Sequence, residues 1–386
     1  MSGCVHAGSR SPPPDVALAI SIDAAMDRAA ASLPRDRGFA LRVEASRPQL
    51  VWAAARGNGV SADRTVRIAS VTKTFVAAAT LRLVERGALQ LDDPVGPLLS
   101  APIGARLARD GYDLDRVTVR MLLTHTAGVF DYAQHPLYLA RVLSDPAHIW
   151  TREEQIAFAV DHGDPLGAPG ALFAYSDTGY LMLGDILERV TGLPLAEAVP
   201  ELLELEDHGV SNTWFEGLGA EPAHAPPRAR QGVGATDAAD VHPSADLFGG
   251  GGLLSTPGDL ARFLRLLLRG DILGADTVRT MTAPTPQSVA AGGGGYGMGL
   301  ARRSVAGEDC YGHGGFWGVV AWYCPGADLA VAGFVSNTNQ IAALSLLTDE
   351  VLRLCLDASS NLGSRPAAGA GTGSAGGGPG PSSVDP

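Results

Sequence analysis

One stretch organises the chain: Arg67-Ile68-Ala69-Ser70-Val71-Thr72-Lys73-Thr74-Phe75-Val76-Ala77-Ala78-Ala79-Thr80-Leu81. Its apolar residues recur at helical spacing and continue to Gly87, which predicts a buried helix with Ser70 at or just before the first turn. Lys73 lies three residues on, so it shares the serine's face one turn above it. Free N–H groups at a helix N-terminus favour developing negative charge. The stretch therefore predicts a serine nucleophile beside a lysine base.

Lys73 is the only lysine in the chain, and every other residue of the Lys and Arg set is arginine. An arginine keeps its proton in a protein, whereas a desolvated lysine is able to release one. The alternative is an ordinary half-buried helix lysine whose amine reaches solvent. The single lysine favours the proton-transfer role. To act as a neutral base near pH 7, its pKa must lie well below the ordinary value of ~10.4.

Composition and charge limit the function classes. The chain has 386 residues, of which 46% are hydrophobic and 18% charged, typical of one large or two medium globular domains. The formal net charge of −12 argues against a nucleic-acid partner. No apolar run approaches the length that spans a membrane. We therefore expect a small-molecule or short-peptide acyl substrate, no nucleic acid and no membrane; the oligomeric state stays open.

The cysteines show no C-x-x-C spacing, so we expect no metal site, and the chemistry expected at Ser70 requires no cofactor. Cys310 and Cys324 flank a predicted hairpin and could be cross-strand neighbours. Without an exported context, however, we expect reduced, buried thiols. The first residues lack the apolar core of a signal peptide, so we expect a cytoplasmic protein.

The order of predicted elements indicates an α+β fold. Short β-like runs stand near both ends of the chain, and the middle third, about 92–234, holds short helical runs without strand-like alternation. We expect the first and last strands to form one antiparallel sheet flanked by helices, with the middle region as a helical insertion that covers a site. The predicted strands are 38–43, 50–55, 296–302, 310–314, 318–323 and 330–335, and the predicted first and last helices are 16–33 and 341–356.

Composition also sets the predicted domain boundaries. Residues 1–14 form a Pro/Ser-rich, irregular lead, and residues 15–357 form the catalytic domain. From residue 358 to 386, Gly, Ser, Ala and Pro dominate. Because no core forms from such a composition, we expect a disordered tail.

Two further segments carry chemistry. Tyr175-Ser176-Asp177 stands at a predicted loop-to-helix junction, where a phenol is able to relay a serine proton. An ordinary buried tyrosine is the alternative. Gly312-His313-Gly314-Gly315-Phe316-Trp317-Gly318 stands among the last strands, where glycines let a substrate lie close and leave N–H groups free for an oxyanion. The alternative is a glycine-rich hairpin with an incidental histidine.

Together, the S-x-x-K, Tyr175-Ser176-Asp177 and H-x-G segments resemble the three signatures S-x-x-K, Y-x-N and H-x-G (or K-T-G), in this order, of the serine β-lactamase and penicillin-binding-protein-like hydrolases. The class C β-lactamase, D-alanyl-D-alanine carboxypeptidase, D-aminopeptidase and esterase branch is the most similar. Supporting segments are LLTHTAG at 122–128, GGGLLSTP at 250–257 and YGMGL at 296–300. The resemblance covers roughly residues 15–356 and implies the β-lactamase/transpeptidase-like fold.

The resemblance implies roles for individual residues. Ser70 is the expected nucleophile, Lys73 the amine that helps to deprotonate it, and Tyr175 the general base and acid. His313, Gly314 and Gly315 are expected to line the substrate strand, with His313 able to bind a substrate carboxylate or to tune the site. The N–H groups of Ser70 and Phe316 are expected to form the oxyanion hole.

Asp177 stands where the family usually has asparagine, whose amide donates to a substrate carbonyl. An ionised aspartate donates no hydrogen bond, so we expect Asp177 to hold Lys73 as a cation or to attract a substrate amine. Poor β-lactam turnover follows from either role.

The expected function is a serine hydrolase that forms an acyl-enzyme on an amide or ester, such as a D-amino-acid peptide, a simple ester or a β-lactam-like compound. A transacylase of the same fold shares every motif and remains an alternative. A non-catalytic β-lactam-binding sensor is a second alternative, although a pure binder has little use for a lone titratable amine.

Overall fold

The computed structural model describes residues 13–363. Its strands are β1 Gly38–Ser46, β2 Gln49–Gly57, β3 Val66–Arg67, β4 Trp214–Phe215, β5 Gly232–Val233, β6 Thr236–Asp237, β7 Leu253–Ser255, β8 Ala301–Val305, β9 Glu308–Gly315, β10 Val319–Cys324 and β11 Leu329–Val335. The main sheet is antiparallel and six-stranded, in the order β2-β1-β11-β10-β9-β8. The first strands of the chain thus pair with the last, which confirms the predicted fold class.

Helices cover both faces of this sheet. They are α1 Pro14–Ala31, α2 Thr72–Glu85, α3 Ala101–Arg109, α4 Val119–Leu123, α5 Pro136–Ser144, α6 Arg152–His162, α7 Asp177–Thr191, α8 Leu195–Leu202, α9 Pro257–Arg269, α10 Ala275–Thr282, α11 Pro286–Ala290 and α12 Ile341–Gly363. Leu41 and Val43 of β1 point into a core shared with α1 and α12, whereas Ala40 points into the larger core that contains α2 and α9. The alternation of side chains along a strand explains how one strand serves both cores.

The helix α2 lies inside the larger core and contacts α7, α8 and α9 through different faces. Phe75 of α2 stacks on Phe263 of α9 with ring centroids 3.6 Å apart and planes 8° from parallel. The residues from Thr72 to Leu81 are all buried. A helix that is packed on every side is a rigid support, so the side chains at its N-terminus are held in fixed positions.

Three local predictions were wrong. A small second sheet, β3-β7-β4, and the β5-β6 pair lie partly within the region expected to be free of strands. Strands of two or three residues are too short to show alternation in sequence. The strand predicted at 296–302 begins only at Ala301, because Gly297 and Gly299 turn the chain against α2 and α10.

The last helix continues to Gly363, past the predicted boundary at residue 357. Ala358 packs against the core shared by α1 and α12, and the Ser360 hydroxyl bonds back to the Leu356 carbonyl at 3.0 Å. The irregular lead, apart from its last two residues, and the tail after residue 363 lie outside the described residues. Within the part that is described, no helix is both long and apolar enough to cross a membrane.

Cys310 and Cys324 form a disulfide, with Cα atoms 4.1 Å apart. The expectation of reduced thiols was therefore wrong. The register of β9 and β10, in which Tyr311 faces Tyr323, brings the two cysteines opposite each other. The pairing of the strands, which the sequence alone does not display, decides the bond.

Candidate active site

Ser70 lies in a 3-10 turn, Ala69–Val71, that leads into α2. Ala69 adopts a left-handed conformation with φ of 44°, which is unusual for a residue with a side chain. The end of β9 packs on this turn, since a Cβ on Gly315 would come 2.2 Å from the Ile68 carbonyl oxygen. Only glycine allows that approach. The nucleophile turn and the third signature are thus in direct contact.

Lys73 is fully buried, and its ammonium has three acceptors. The Nζ atom donates to Ser70 Oγ at 3.0 Å and to the Gly250 carbonyl oxygen at 2.7 Å. Its third partner is Asp177 Oδ1, which forms a buried ion pair with it. Because an ammonium has three N–H donors, the site satisfies all of them.

The surroundings of Lys73 favour the cation over a neutral base. Burial by itself would lower the pKa of Lys73, but the Asp177 carboxylate and, to a lesser degree, the Tyr175 hydroxyl outweigh it and raise the pKa above its usual value. Lys73 is therefore a cation near pH 7. This agrees with the alternative expectation that Asp177 holds the lysine as a cation.

The second signature is placed by the start of α7. Ser176 is the N-cap, and its hydroxyl accepts a hydrogen bond from the Gly179 N–H at 3.2 Å. Asp177 follows as the first residue of the helix, where the helix dipole favours a carboxylate. Gly250 lies so close that a Cβ there would come 2.9 Å from Asp177 Oδ1. Helix capping thus fixes Asp177 at the lysine.

Tyr175 precedes the cap, and its buried hydroxyl lies beside Lys73 and Ser70 without a hydrogen bond of normal geometry to either. The Lys73 Nζ atom lies 5.0 Å from the centroid of the Tyr175 ring. Burial raises the pKa of Tyr175, and the Lys73 charge opposes this rise only in part. The raised pKa favours the protonated phenol at rest.

The third signature lies on β9. The His313 Nδ1 atom donates to the Gly314 carbonyl oxygen at 2.6 Å, which leaves Nε2 to accept from the Tyr296 hydroxyl at 3.0 Å. Burial and the Lys73 charge lower the pKa of His313 to about 4, so the ring is neutral. Since both nitrogens are occupied, the expected carboxylate-binding role does not fit. Gly314, in contrast, is exposed beside the site.

Phe316 follows β9 directly and is 43% exposed at the edge of the site. Because Gly315 packs on Ile68 and Ala69, the backbones of Ser70 and Phe316 are neighbours. Two backbone N–H groups at this junction are suited to an oxyanion hole. The role of this pair remains a proposal.

The sequence reasoning assigned no role to His125, Asp131 and Asp246. His125 has a φ of 55° and lies with its ring centroid 4.3 Å from that of Tyr175. Its Nδ1 accepts from the Ser176 N–H at 3.1 Å, and burial lowers its pKa well below the usual value, so it is a neutral support for Tyr175. His125 belongs to the LLTHTAG segment, whereas no motif marks the two aspartates.

A pocket of about 230 Å³ lies beside Ser70. Its lining combines polar groups with side chains of α5 from the helical insertion. The lining includes Ser70, Tyr132, Tyr138, Leu139, Val142, Leu143, Asp177, Asp246, Phe316 and Trp317. In residues 13–363, no group of three or more His, Cys, Asp or Glu side chains is arranged to hold a metal ion.

The structure combines an antiparallel sheet flanked by helices with a serine at a helix N-terminus and a buried lysine one turn later. The family model described as Beta-lactamase matches residues 42–352. The chain therefore belongs to the Beta-lactamase family, whose members share an acyl-enzyme mechanism.

Individual relatives agree with this family. The D-alanyl-D-alanine-carboxypeptidase/endopeptidase AmpH of Escherichia coli (strain K12) is 28% identical over 218 residues, 56% of this chain and 52% of AmpH. The esterase EstB of Burkholderia gladioli is 35% identical over 202 residues, 48% of this chain and 49% of EstB. The chain thus spans about half the length of these relatives. Acyltransferases are also among the relatives.

Solved structures match over a larger share. A D-stereospecific amidohydrolase from Streptomyces sp. is 28% identical, with a TM-score of 0.72, and the match covers 83% of this chain and 94% of that chain. The likeness thus includes the main sheet and the helical region together.

Proposed function

We propose that the protein is a serine hydrolase that forms an acyl-enzyme at Ser70 on small amides or esters. One observation carries the proposal: Ser70 accepts a hydrogen bond from the buried Lys73 ammonium at the mouth of a pocket. The ammonium lowers the cost of negative charge on the Ser70 oxygen. The relatives named as a carboxypeptidase, an esterase and an amidohydrolase act on the same two classes of bond.

The resting charges suggest how the serine proton moves. As substrate displaces water, Lys73 passes one proton to Asp177 and then accepts the Ser70 proton, while Ser70 Oγ bonds to the substrate carbonyl carbon. The N–H groups of Ser70 and Phe316 bind the resulting oxyanion. The oxyanion then collapses and the bond between the carbonyl carbon and the leaving group breaks, while Tyr175 gives its proton to the leaving group and recovers one from Lys73, which is reprotonated by Asp177. In net terms one proton passes from Ser70 to the leaving group, and Lys73, Asp177 and Tyr175 are restored.

Water then attacks the acyl-enzyme through the reverse sequence of proton transfers. An incoming amine or alcohol in place of water would make the protein a transacylase. Acyltransferases among the relatives favour this as the second candidate function. Product analysis with an acyl donor, with and without candidate acceptors, distinguishes the two.

The test is the mass of the intact protein after exposure to a panel of simple esters, D-amino-acid amides and penicillin. We expect a Ser70-linked acyl mass that decays as product appears. A Ser70→Ala protein that still acquires the adduct would contradict the assignment of the nucleophile. A stable adduct without turnover for every compound would instead favour the β-lactam-binding sensor.

A cytoplasmic location stays a prediction, and the Cys310–Cys324 disulfide weighs against it. Disulfides persist mainly in oxidising compartments. The exclusion of nucleic acid also stays a prediction that rests on the net charge.

A further inference from the structure

The pocket beside Ser70 is lined by two unlike kinds of side chain. Tyr138, Leu139 and Val142 of α5 supply apolar surface, and Asp177 and Asp246 supply carboxylates. A substrate group that fills the pocket therefore meets both apolar surface and negative charge. Its most favourable occupant combines a bulky apolar body with a positive charge.

The two carboxylates are not equally available. Asp177 is committed to the Lys73 ammonium. Asp246 forms no ion pair with any cation of residues 13–363. The charge of Arg67 lowers the pKa of Asp246, but the Arg67 guanidinium donates its hydrogen bonds to Glu216 and to two backbone carbonyl oxygens. The negative charge of Asp246 is therefore open to a ligand.

The backbone at Gly251 packs against the Asp246 carboxylate. A Cβ on Gly251 would come 2.0 Å from Asp246 Oδ1, so the carboxylate lies directly against this glycine. The Trp317 indole lies on the same side and is buried, with no hydrogen-bond partner of normal geometry for its N–H. Asp246 is thus positioned at the pocket without being neutralised there.

The charges of the groups around Asp246 also favour a cationic ligand. Asp131, Asp177 and Asp246 lie near one shared cation, Lys73, which is already paired with Asp177. Burial and the Asp177 charge raise the pKa of Asp246 to about 6. A buried acid whose ionisation is disfavoured gains most when a cation arrives beside it.

We propose that Asp246 binds an ammonium group on the acyl part of the substrate while the α5 wall receives a bulky apolar side chain. This inference rests on the proposed hydrolase function and names its substrate class, hydrophobic amino-acyl esters and amides. It also moves the amine-binding role expected of Asp177 to a residue outside the three signatures.

The test compares matched substrates. The p-nitrophenyl esters of D- and L-phenylalanine each differ from that of 3-phenylpropanoic acid in the ammonium group alone. Because an α-ammonium group itself activates an ester, each kcat/KM is divided by the rate of uncatalysed hydrolysis of the same ester. For the parent enzyme, we expect this corrected kcat/KM to be at least ten-fold higher for one amino ester than for the deamino ester, since a charge-assisted hydrogen bond contributes roughly that much. Asp246→Asn should lower this ratio to near one. Asp207→Asn, at an exposed site, is the matched control and should keep it.

A second measurement uses the parent enzyme alone, so that it does not depend on whether the Asp246→Asn variant folds. Against 3-phenylpropanoyl ester turnover, 2-phenylethylammonium should inhibit at a concentration at least ten-fold lower than 2-phenylethanol. Equal inhibition, no preference for either amino ester, or a preference that survives in folded Asp246→Asn would overturn the inference. Ser70-dependent turnover of the deamino ester shows separately whether the hydrolase function holds.

Discussion

Asp177→Asn removes the charge that holds Lys73 as a cation while keeping the size of the side chain. Lys73 would retain Ser70 Oγ and the Gly250 carbonyl oxygen as acceptors. At an effective dielectric constant of ~20, opposite unit charges about 3 Å apart attract by roughly 5 kcal/mol. Removal of one partner from a buried pair typically costs about 3–5 kcal/mol. We expect the free energy of unfolding at pH 7 to fall by that amount.

The sign of the pH dependence follows from the lysine. In the parent, the pKa of Lys73 is raised in the folded state, so its contribution is present below the unfolded value of ~10.4 and lost only above it. In the variant, burial acts without Asp177 and lowers the pKa of Lys73. The unfolded chain then binds more protons than the folded one, so the variant's stability rises with pH relative to the parent.

Urea denaturation of both proteins between pH 6 and pH 10 tests this reasoning. The stability deficit should be largest at pH 6–7 and should narrow toward pH 10. Asp207→Asn serves as an exposed control whose effect should be small at every pH. A deficit below about 1 kcal/mol at pH 7, or one of constant size across the range, would refute the buried charge pair as described.

The same substitution tests substrate choice. An asparagine amide is able to donate to a substrate carbonyl, and a Lys73 without its carboxylate partner releases its proton more readily. We expect the ratio of kcat/KM for a chromogenic cephalosporin to that for an activated ester to rise by roughly ten-fold, the value of one hydrogen bond. If this ratio does not change, or if the parent already hydrolyses the cephalosporin fast, Asp177 does not set substrate choice.

Four further outcomes are expected. Ser70→Ala should reduce ester turnover by about 10⁴-fold in steady-state assays. Lys73→Arg should reduce acylation by about 10²–10⁴-fold in single-turnover assays, because arginine passes on no proton. Burial and the Asp177 charge raise the pKa of Asp131 to about 7, so the ionisation of Asp131 lowers the free energy of unfolding as pH rises from about 4 to 7. Asp131→Asn should therefore raise the free energy of unfolding by roughly 2–4 kcal/mol at pH 8 and by little at pH 4, as measured by urea titration. Replacing Cys310 and Cys324 together by alanine should lower the unfolding free energy by about 3 kcal/mol.

The parts of the fold that the sequence predicted are those with a repeated local signal. The helical spacing around Phe75 and the continuous apolar run of β11 each extend over several consecutive residues. The two-residue strands β3 and β4 carry no such repeat and form only because β7 lies between them. The disulfide likewise depends on the register of β9 and β10.

In the site too, the sequence predicted some features and did not predict others. The signatures predicted which residues meet, since Ser70, Lys73 and Asp177 are in contact as expected. The sequence did not predict the protonation state of Lys73, because that state depends on a carboxylate 104 residues away in the chain and on how deeply the lysine is buried. Asp246 carries no motif at all. The role proposed for it rests on its place in the pocket and on the absence of an ion pair with any cation in the described part of the chain.

The pairing of Lys73 with Asp177 explains why the specificity of this site would rest on a different aspartate. A carboxylate that already neutralises a buried ammonium has little charge left to attract a second cation. Moving the proton within the pair is possible only while both groups stay sheltered from water, so a substrate amine drawn to Asp177 would interrupt the transfer. Asp246 lies on the same pocket but outside that pair. An ammonium bound there would add positive potential near the Ser70 oxygen as its negative charge develops, so the group that selects the substrate would also favour its acylation.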